Sequence, residues 1–265
     1  MNIVIIGAGR VATHLALALH GNRHKVVQIV SRTQASAARL AERIGCTATT
    51  DFKTLAKAEA YIISTSDSAI NTIAHKLHHL TTNAVVLHTA GSLDMQELSA
   101  ASQHIGVLYP FQTFSLEHSV DFSYIPLLLS WTTPQAQAII QALADTLGGP
   151  QYRASNEQRR LLHLAAVFAS NFANHSYALA AEILEQAQLP FSLLHPLIQE
   201  TARKACQLSP ALAQTGPAIR QEQAIIARHC EMLNDTRYMQ DIYRHMSESI
   251  QYLDQTKQRL QNSTL

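Results

Sequence analysis

One stretch near the start decides the fold of this chain: Asn2-Ile-Val-Ile-Ile-Gly-Ala-Gly-Arg-Val-Ala12. Four consecutive apolar residues, Ile3 to Ile6, predict a strand that is buried on both faces of a sheet. Apolar residues at helical spacing follow the glycines directly, so the turn lies between a strand and a helix. That context favours a dinucleotide-binding turn. The alternative is a glycine-rich turn in some other α/β fold.

Each small residue of this turn has a distinct task in such a pattern. Gly7 permits the tight turn, Gly9 lets the backbone approach a pyrophosphate, and Ala12 lets the helix pack close to the strand. The free N–H groups and the positive dipole end of the helix then face the phosphates. The residues expected to form the cofactor turn are Gly7, Ala8, Gly9, Arg10, Val11 and Ala12.

The composition excludes several classes of protein. With 265 residues, 47% of them hydrophobic, the chain can bury one large core or two ordinary ones. A formal net charge of +1 gives no electrostatic reason to expect a nucleic acid or an acidic membrane as partner. The three cysteines, Cys46, Cys206 and Cys230, match neither a disulfide framework nor a zinc spacing. We therefore expect a cytoplasmic protein in a reducing compartment.

The pattern along the chain predicts an α/β fold class: an N-terminal doubly wound Rossmann sheet followed by an all-helical C-terminal domain. Strand-like and helix-like segments alternate through residues 1–153, as in a mostly parallel sheet. The strands predicted after the first are Lys25–Ser31, Ala60–Ser64, Ala84–His88, Ile105–Leu108 and Ile125–Ser130. Pro126, near the start of the last one, indicates an edge strand.

Residues 154–265 show helical periodicity and no convincing strand. Ser155 and Gln158 form a capping-box pattern at the start of a long helix that runs to about Gln188. Further helices are predicted at about Ser192–Gln207, Ala218–Leu233 and Thr236–Gln261. We thus predict an NADP-binding domain at 1–153 and a helical substrate and dimerisation domain at 154–265.

The end of the second strand decides which dinucleotide is expected. An acidic residue at this position selects NAD, but the chain has Ser31-Arg32-Thr33 there. Arg32 can pair with a 2′-phosphate, and Ser31 and Thr33 can donate hydrogen bonds to it. NADP is therefore favoured over NAD, the alternative being that Arg32 is a solvated surface residue.

Two further strand ends carry polar side chains where ligands of such sheets bind. The first reads Ser64-Thr65-Ser66-Asp67 and is expected near the pyrophosphate and the nicotinamide ribose, although Ser66 or Asp67 can equally cap the next helix. The second reads His88-Thr89-Ala90-Gly91-Ser92. We assign His88 to the cofactor, Thr89 and Gly91 to substrate binding, and Ser92 to orienting the substrate. A structural turn is the alternative, and Tyr109–Thr113 is expected to wall the same pocket.

A polar stripe lies along the predicted long helix: His163, Val167, Asn171, Asn174, His175 and Ala178 fall at helical spacing. If this face meets the dinucleotide, His163 is a candidate proton donor. Asn171 is a candidate anchor for substrate or nicotinamide, and Asn174 for substrate. A hydrogen-bonded core histidine is the alternative for His163.

Two other features invite a functional interpretation. Thr215-Gly-Pro-Ala-Ile-Arg220 forms a fixed turn into a helix, and a cation in the first turn of a helix opposes the dipole. An anionic substrate would explain Arg220, whereas a surface arginine is the alternative. His75, His78 and His79 have spacing compatible with a metal, but a solvated helix face is favoured and no metal is predicted.

Taken together, the chain resembles the Rossmann-like NADP oxidoreductases that carry a DUF2520 C-terminal domain. The resemblance is carried by the glycine turn, His88–Ser92, Tyr109–Thr113, His163–Asn171 and Thr215–Arg220. It extends to the wider group with a 6-phosphogluconate-dehydrogenase-like C-terminal domain, which includes pyrroline-5-carboxylate reductase and F420-dependent NADP reductase. The resemblance implies an eight-stranded first domain, a helical domain that packs dimers, and an active site between the domains.

Two positions depart from the patterns of these relatives. In the β-hydroxyacid dehydrogenase branch a lysine precedes the helix asparagine by one turn, whereas this chain has Val167 there if Asn171 is that asparagine. The acid/base lysine is therefore absent, and His163 is its candidate replacement. The segment Arg220-Gln221-Glu222 stands where Arg-Gly-Asp is expected.

These observations favour an NADP(H)-dependent oxidoreductase that acts on a small polar carbonyl, imine or hydroxyacid. Two alternatives remain: a non-catalytic NADP-binding regulator or sensor, and an enzyme that exchanges hydride with a flavin-like cofactor such as F420. The apolar C-terminal helices predict a homodimer.

Overall fold

The computed structural model describes residues 1–21, 23–78 and 83–262, with side chains as far as residue 256. Its contacts divide the chain into two compact units, Met1–Asn171 and Phe172–Leu265. This boundary lies later than 153/154, because the first part of the long helical stretch packs with the sheet. The assignment of separate roles to the two predicted domains stays a prediction.

The first unit is built on one eight-stranded sheet with the strand order β3-β2-β1-β4-β5-β6-β7-β8. The strands are β1 (Asn2–Ile6), β2 (Lys25–Val30), β3 (Thr47–Thr49), β4 (Ala60–Ile63), β5 (Val85–His88), β6 (Ile105–Pro110), β7 (Leu127–Trp131) and β8 (Gln151–Arg153). Neighbouring strands are parallel except β6 and β7, which run antiparallel. The predicted α/β class, the mostly parallel sheet and the eight strands are confirmed.

Helices cover both faces of this sheet. They are α1 (Arg10–Leu19), α2 (Gln34–Ile44), α3 (Asp67–Leu77) and α4 (Pro134–Leu147). A fifth helix, α5 (Asn156–Ala166), follows β8, and Arg159 is its one buried residue. One buried layer includes residues of α1, α2 and α4, and the other includes residues of α3 and of the 3₁₀ turn Met95–Leu98. Because neither face meets water, the central strands are almost entirely apolar, which is why the sequence predicts them.

Two expectations about strands were incomplete or wrong. The short strands β3 and β8 were not predicted, and all three residues of β8 are exposed, so no apolar run marked it. The edge position suggested by Pro126 is wrong, because β7 pairs with both β6 and β8. Pro126 precedes the first residue of β7, and its carbonyl accepts a hydrogen bond from the Phe111 N–H at 2.8 Å. A proline before a strand removes no N–H from the ladder, so it carries no information about the edge.

The predicted long helix is interrupted. A π-helical segment, Val167–Phe172, separates α5 from α6 (Ala173–Gln186). The polar stripe was predicted on a spacing of 3.6 residues, which a wider turn does not keep. The shared face expected for His163 and Asn174 therefore does not follow from their spacing.

The second unit is helical, as predicted. After α6 its helices are α7 (His195–Gln207), α8 (Pro210–Ala213), α9 (Gln223–Met232) and α10 (Arg237–Asn262). Among its described side chains, those of Ala218, Cys230, Met239 and Ser247 alone are buried. Within the described residues of the whole chain, no helix combines the length and the apolar character needed to cross a membrane.

Candidate functional site

The turn after β1 has a glycine that the fold itself requires. Gly7 has a φ of 130°, a conformation that side chains with a Cβ rarely adopt, and its N–H donates to the carbonyl of Val30 at 2.8 Å. A Cβ on Gly7 would overlap the backbone carbonyl oxygen of Ser64. The absence of a side chain therefore lets the end of β1 approach the end of β4.

Gly9 is a glycine for a different reason. It is the N-cap of α1 with an ordinary φ of −80°, and a Cβ there would meet nothing within 4 Å. No side chain caps the N-terminus of α1, and its first turn holds no acidic residue. Open space in front of uncapped N–H groups is what a pyrophosphate needs, so this turn fits a dinucleotide. Ala12 is fully buried and permits close packing of α1.

The end of β2 presents the residues predicted to select the cofactor. Ser31 is half-buried, and Arg32 and Thr33 are exposed. Thr33 caps α2, because its hydroxyl accepts a hydrogen bond from the Ser36 N–H at 3.4 Å and donates to the Ser36 hydroxyl at 2.9 Å. Arg32 forms no hydrogen bond or salt bridge with any residue that the structure describes. Its charge is available to a ligand.

The ends of β4 and β5 are joined by their side chains. The Thr89 hydroxyl donates to the Ser64 hydroxyl at 3.1 Å, and the Ser92 hydroxyl donates to the carboxylate of Asp67. Asp67 is the first residue of α3, and Ser66 is its N-cap without a side-chain hydrogen bond. Thr65 bonds locally to the Ser66 carbonyl at 3.3 Å. The two polar strand ends singled out in the sequence thus form one group.

Tyr109, at the end of β6, completes this group. Its hydroxyl lies 3.2 Å from Nδ1 of His163 on α5. Its ring fills the space beside Gly91, where a Cβ would come within 2.6 Å of two ring atoms. Burial and, to a lesser extent, the charge of Asp67 raise the pKa of the Tyr109 phenol. The sequence placed Tyr109 only as a wall residue and missed its pairing with His163.

Arg159 is a second residue that sequence reasoning missed. It is fully buried, and its guanidinium donates to the Ser130 hydroxyl at 2.7 Å, the Leu93 carbonyl at 2.8 Å and the Asn156 side chain at 2.7 Å. No carboxylate among the described residues lies within salt-bridge distance of it. Arg159 therefore ties α5 to the sheet and to the loop that carries Ser92.

The structure corrects the sequence-based assignment of His88 to cofactor binding. His88 is fully buried, and its Nδ1 accepts a hydrogen bond from the Ala90 N–H at 3.1 Å. Burial, helped by the charge of Arg159, lowers its pKa to about 4. A neutral, enclosed imidazole shapes the loop after β5 and does not present a surface to a ligand.

Asn171 and Asn174 are the two asparagines of the polar stripe that were expected to anchor the substrate. Asn171 is exposed in the π-helical segment at the end of the first unit, and Asn174 is exposed in the second unit. No hydrogen bond of either side chain is present among the described residues, so their roles stay predictions.

We expected Arg220 in the first turn of a helix, but α9 begins only at Gln223. Its guanidinium pairs with Glu222 at 2.9 Å, so an anionic ligand is not needed to explain it. Between them Gln221 has a φ of 56°, the left-handed conformation for which glycine is favoured. This explains why a glycine is expected at that position.

The histidine spacing considered for a metal involves His79, which lies outside the described residues. Among the residues that are described, no group of three or more histidine, cysteine or acidic side chains is arranged to hold a metal ion.

Comparisons with known proteins agree with this architecture. A family model described as NADP oxidoreductase, coenzyme F420-dependent, matches residues 2–91, and one described as domain of unknown function DUF2520 matches residues 126–250. The solved structure of BF3122 from Bacteroides fragilis, provisionally named an NADP oxidoreductase, is 44% identical in sequence. The match has a TM-score of 0.89 and covers 95% of this chain and 98% of that one.

More distant solved structures share the fold. TM1727 from Thermotoga maritima is 21% identical, with a TM-score of 0.71 over 97% of this chain and 99% of that one. A 1-pyrroline-5-carboxylate reductase from Streptococcus pyogenes is 13% identical, with a TM-score of 0.61 over 95% of this chain and 98% of that one. No curated protein matches the sequence.

The two glycines of the turn provide a matched pair of variants. We expect Gly7→Ala to lower the free energy of unfolding by about 3 kcal/mol or more, because the new Cβ overlaps the Ser64 backbone at an unfavourable φ. Gly9→Ala should leave stability nearly unchanged but weaken NADPH binding by about tenfold or more, or about 1.4 kcal/mol. Urea unfolding and calorimetric titration measure the two effects. Undiminished NADPH binding by Gly9→Ala would contradict the assignment of this turn.

The buried state of His88 predicts a loss of stability in mild acid. Its pKa is about 4 in the folded protein and about 6.5 when unfolded, so between these values only the unfolded state binds the proton. The contribution is fully present above pH 6.5 and falls by about 3 kcal/mol by pH 4. His88→Asn, whose amide oxygen can still accept from Ala90, should flatten this slope in urea unfolding at successive pH values. The exposed His118→Asn is the control, and equal slopes in all three proteins would refute the explanation.

Proposed function

The chain belongs to the NADP oxidoreductase family that carries a DUF2520 domain, and we propose that it transfers hydride between NADP(H) and a small polar carbonyl, imine or hydroxyacid. The family implies a nicotinamide nucleotide as cofactor. The choice of NADP and the substrate class are the proposal.

The observation that carries this proposal is the open, uncapped N-terminus of α1 behind Gly9. A glycine with no neighbour within 4 Å of its missing Cβ is not required by the packing of the protein. It is explained by a phosphate that must approach the backbone closely. Gly7, Ala8, Gly9 and Arg10 would hold the pyrophosphate.

The preference for NADP is supported by the end of β2. The segment Ser31–Thr33 contains no carboxylate that would repel a 2′-phosphate, and Arg32 has no protein partner among the described residues. A guanidinium pairs well with a phosphate through two parallel hydrogen bonds.

The group at the ends of β4, β5 and β6 would act on the substrate. The bound nicotinamide supplies the hydride. Thr89 and Gly91 would contact the substrate and Ser92 would orient it, with Asp67 fixing the Ser92 hydroxyl. His163 would take part in proton transfer in place of the lysine that Val167 replaces. Asn171 and Asn174 remain proposed anchors for the substrate.

The cofactor preference is tested by titrating NADPH and NADH into ligand-free protein in a calorimeter. We expect NADPH to bind more tightly, and Arg32→Gln to weaken NADPH by about 10- to 100-fold, the range for a lost charge-assisted hydrogen bond, with little effect on NADH. Arg43→Gln, an exposed arginine in the last turn of α2, is the matched control. If neither nucleotide binds, the oxidoreductase proposal is wrong. Tight NADPH binding without turnover of any carbonyl, imine or alcohol would favour the sensor instead.

We also propose that the second unit forms a homodimer with a second copy of this chain. Few of its described side chains are buried, although it holds many large apolar residues. Those that are exposed include Ile183, Leu193, Leu197, Leu212, Ile225 and Met246. A helical unit without an interior of its own is typical of obligate dimers, whose interface resembles a divided core. With a net charge of +1, two copies would not repel each other.

Light scattering at micromolar concentration should give twice the monomer mass. The double variant Leu193→Asp/Leu197→Asp places two charges on side chains that are 59% and 62% exposed, and it should shift the protein towards monomer. Leu116→Asp, at an exposed leucine of the first unit, should leave the mass unchanged. A monomeric wild type would disprove the dimer without affecting the proposed activity.

A further inference from the structure

We propose that Tyr109 is the residue that gives the proton to the substrate, and that His163 returns a proton to Tyr109 from solvent. This inference rests on the proposed hydride transfer and assigns a catalytic residue within it. It differs from the sequence-based expectation, in which His163 itself meets the substrate.

The geometry places both groups in one hydrogen bond. The Tyr109 hydroxyl is 3.2 Å from Nδ1 of His163, so a proton can pass between the two atoms without a rearrangement. The Nε2 atom of the same ring binds no residue in the part of the chain that the structure describes, and the exposed ring can exchange a proton with water there.

Both partners are held in place by packing. The Tyr109 ring lies against the backbone of Gly91 and meets Phe111 edge-on, with 6.0 Å between ring centres. His163 lies one helical turn after Arg159, whose buried guanidinium fixes α5 to the sheet. Proton transfer requires such fixed donors and acceptors.

The difference in burial shows which of the two groups is nearer to solvent. His163 is exposed, whereas Tyr109 is half-buried and lies beside Gly91. The phenol is therefore the inner group, next to the Ser92–Asp67 pair, and the imidazole is the outer group. A proton taken from water reaches His163 first and Tyr109 second.

The electrostatic surroundings suit a donor. Burial and the Asp67 carboxylate raise the pKa of Tyr109, so the phenol keeps its proton at neutral pH. An oxygen or nitrogen that becomes anionic during reduction holds a proton far more strongly than a phenolate does. The phenol can therefore donate as that charge develops, although it is not a strong acid.

In the direction of reduction, hydride transfer and proton transfer together saturate the C=O or C=N bond. The carbon of the C=O or C=N bond receives hydride, with its two electrons, from the reduced nicotinamide, and the π pair moves to oxygen or nitrogen. That atom forms a bond to the Tyr109 proton as the phenolic O–H bond breaks. The phenolate takes the Nδ1 proton of a neutral His163 while Nε2 binds a proton from solvent, so the ring stays neutral. Exchange with water then returns the ring proton from Nε2 to Nδ1.

The test uses Tyr109→Phe, His163→Gln and the double variant, with Tyr124→Phe as control because Tyr124 is 82% exposed. The first measurement needs no turnover. In ligand-free protein with ¹³Cζ-labelled tyrosine, the resonance lost in Tyr109→Phe identifies Tyr109. His163→Gln should shift this resonance and the pH at which it titrates, and leave the Tyr124 resonance unchanged. An unaltered Tyr109 resonance would overturn the inference.

The second measurement is NADPH oxidation with pyruvate, cyclohexanone and 2-methyl-1-pyrroline as probes. Tyr109→Phe should lower kcat by about 100-fold or more at unchanged NADPH affinity, and His163→Gln should lower it by about tenfold. The double variant should be no slower than Tyr109→Phe, because the two residues act in series.

The failures of the two proposals can be told apart. Turnover that survives in Tyr109→Phe and disappears in His163→Gln would show that His163 meets the substrate, and it would overturn this inference alone. A wild-type protein that does not bind NADPH, or reduces none of the probes, would overturn the inference together with the proposed activity on these substrates.

Discussion

The close approach of Gly7 to the carbonyl of Ser64 aligns the glycine turn with the polar side chains at the ends of β4 and β5. It brings the ends of β1 and β4 together, which is possible only because Gly7 has no Cβ. From Ser64 a hydrogen bond leads to Thr89 at the end of β5, and three residues later Ser92 binds Asp67 at the start of α3. The cofactor turn and the polar side chains therefore share one edge of the sheet.

Arg159 extends this arrangement to the helix that carries His163. A buried guanidinium is costly unless its N–H groups are paired, and here the two terminal nitrogens donate to one backbone carbonyl and two side-chain oxygens, whereas the buried Nε has no partner among the described residues. These bonds join β7, the loop after β5 and the first turn of α5. They account for the position of the boundary between the two units, because α5 cannot leave the sheet without exposing unpaired polar groups.

The site places two groups that stay neutral near an acidic and a basic side chain. Burial keeps His88 unprotonated, and burial together with Asp67 keeps the Tyr109 phenol protonated. Asp67 binds the Ser92 hydroxyl and Arg32 is available for a phosphate.

The local sequence is enough to predict the sheet and the glycine turn. It also shows that no carboxylate follows β2. Strands buried on both faces are almost entirely apolar, and Gly7 has a positive φ that residues with a Cβ rarely adopt. The short exposed strand β8 left no such signal, and the π-helical turn broke the spacing on which the polar stripe relied. Only the tertiary structure decided that His88 is enclosed, that Arg159 is buried, and that Tyr109 meets His163. Tyr109 and His163 are 54 positions apart in the chain, and Arg159 binds the Leu93 carbonyl from 66 positions away. No local pattern records which distant groups will share a hydrogen bond.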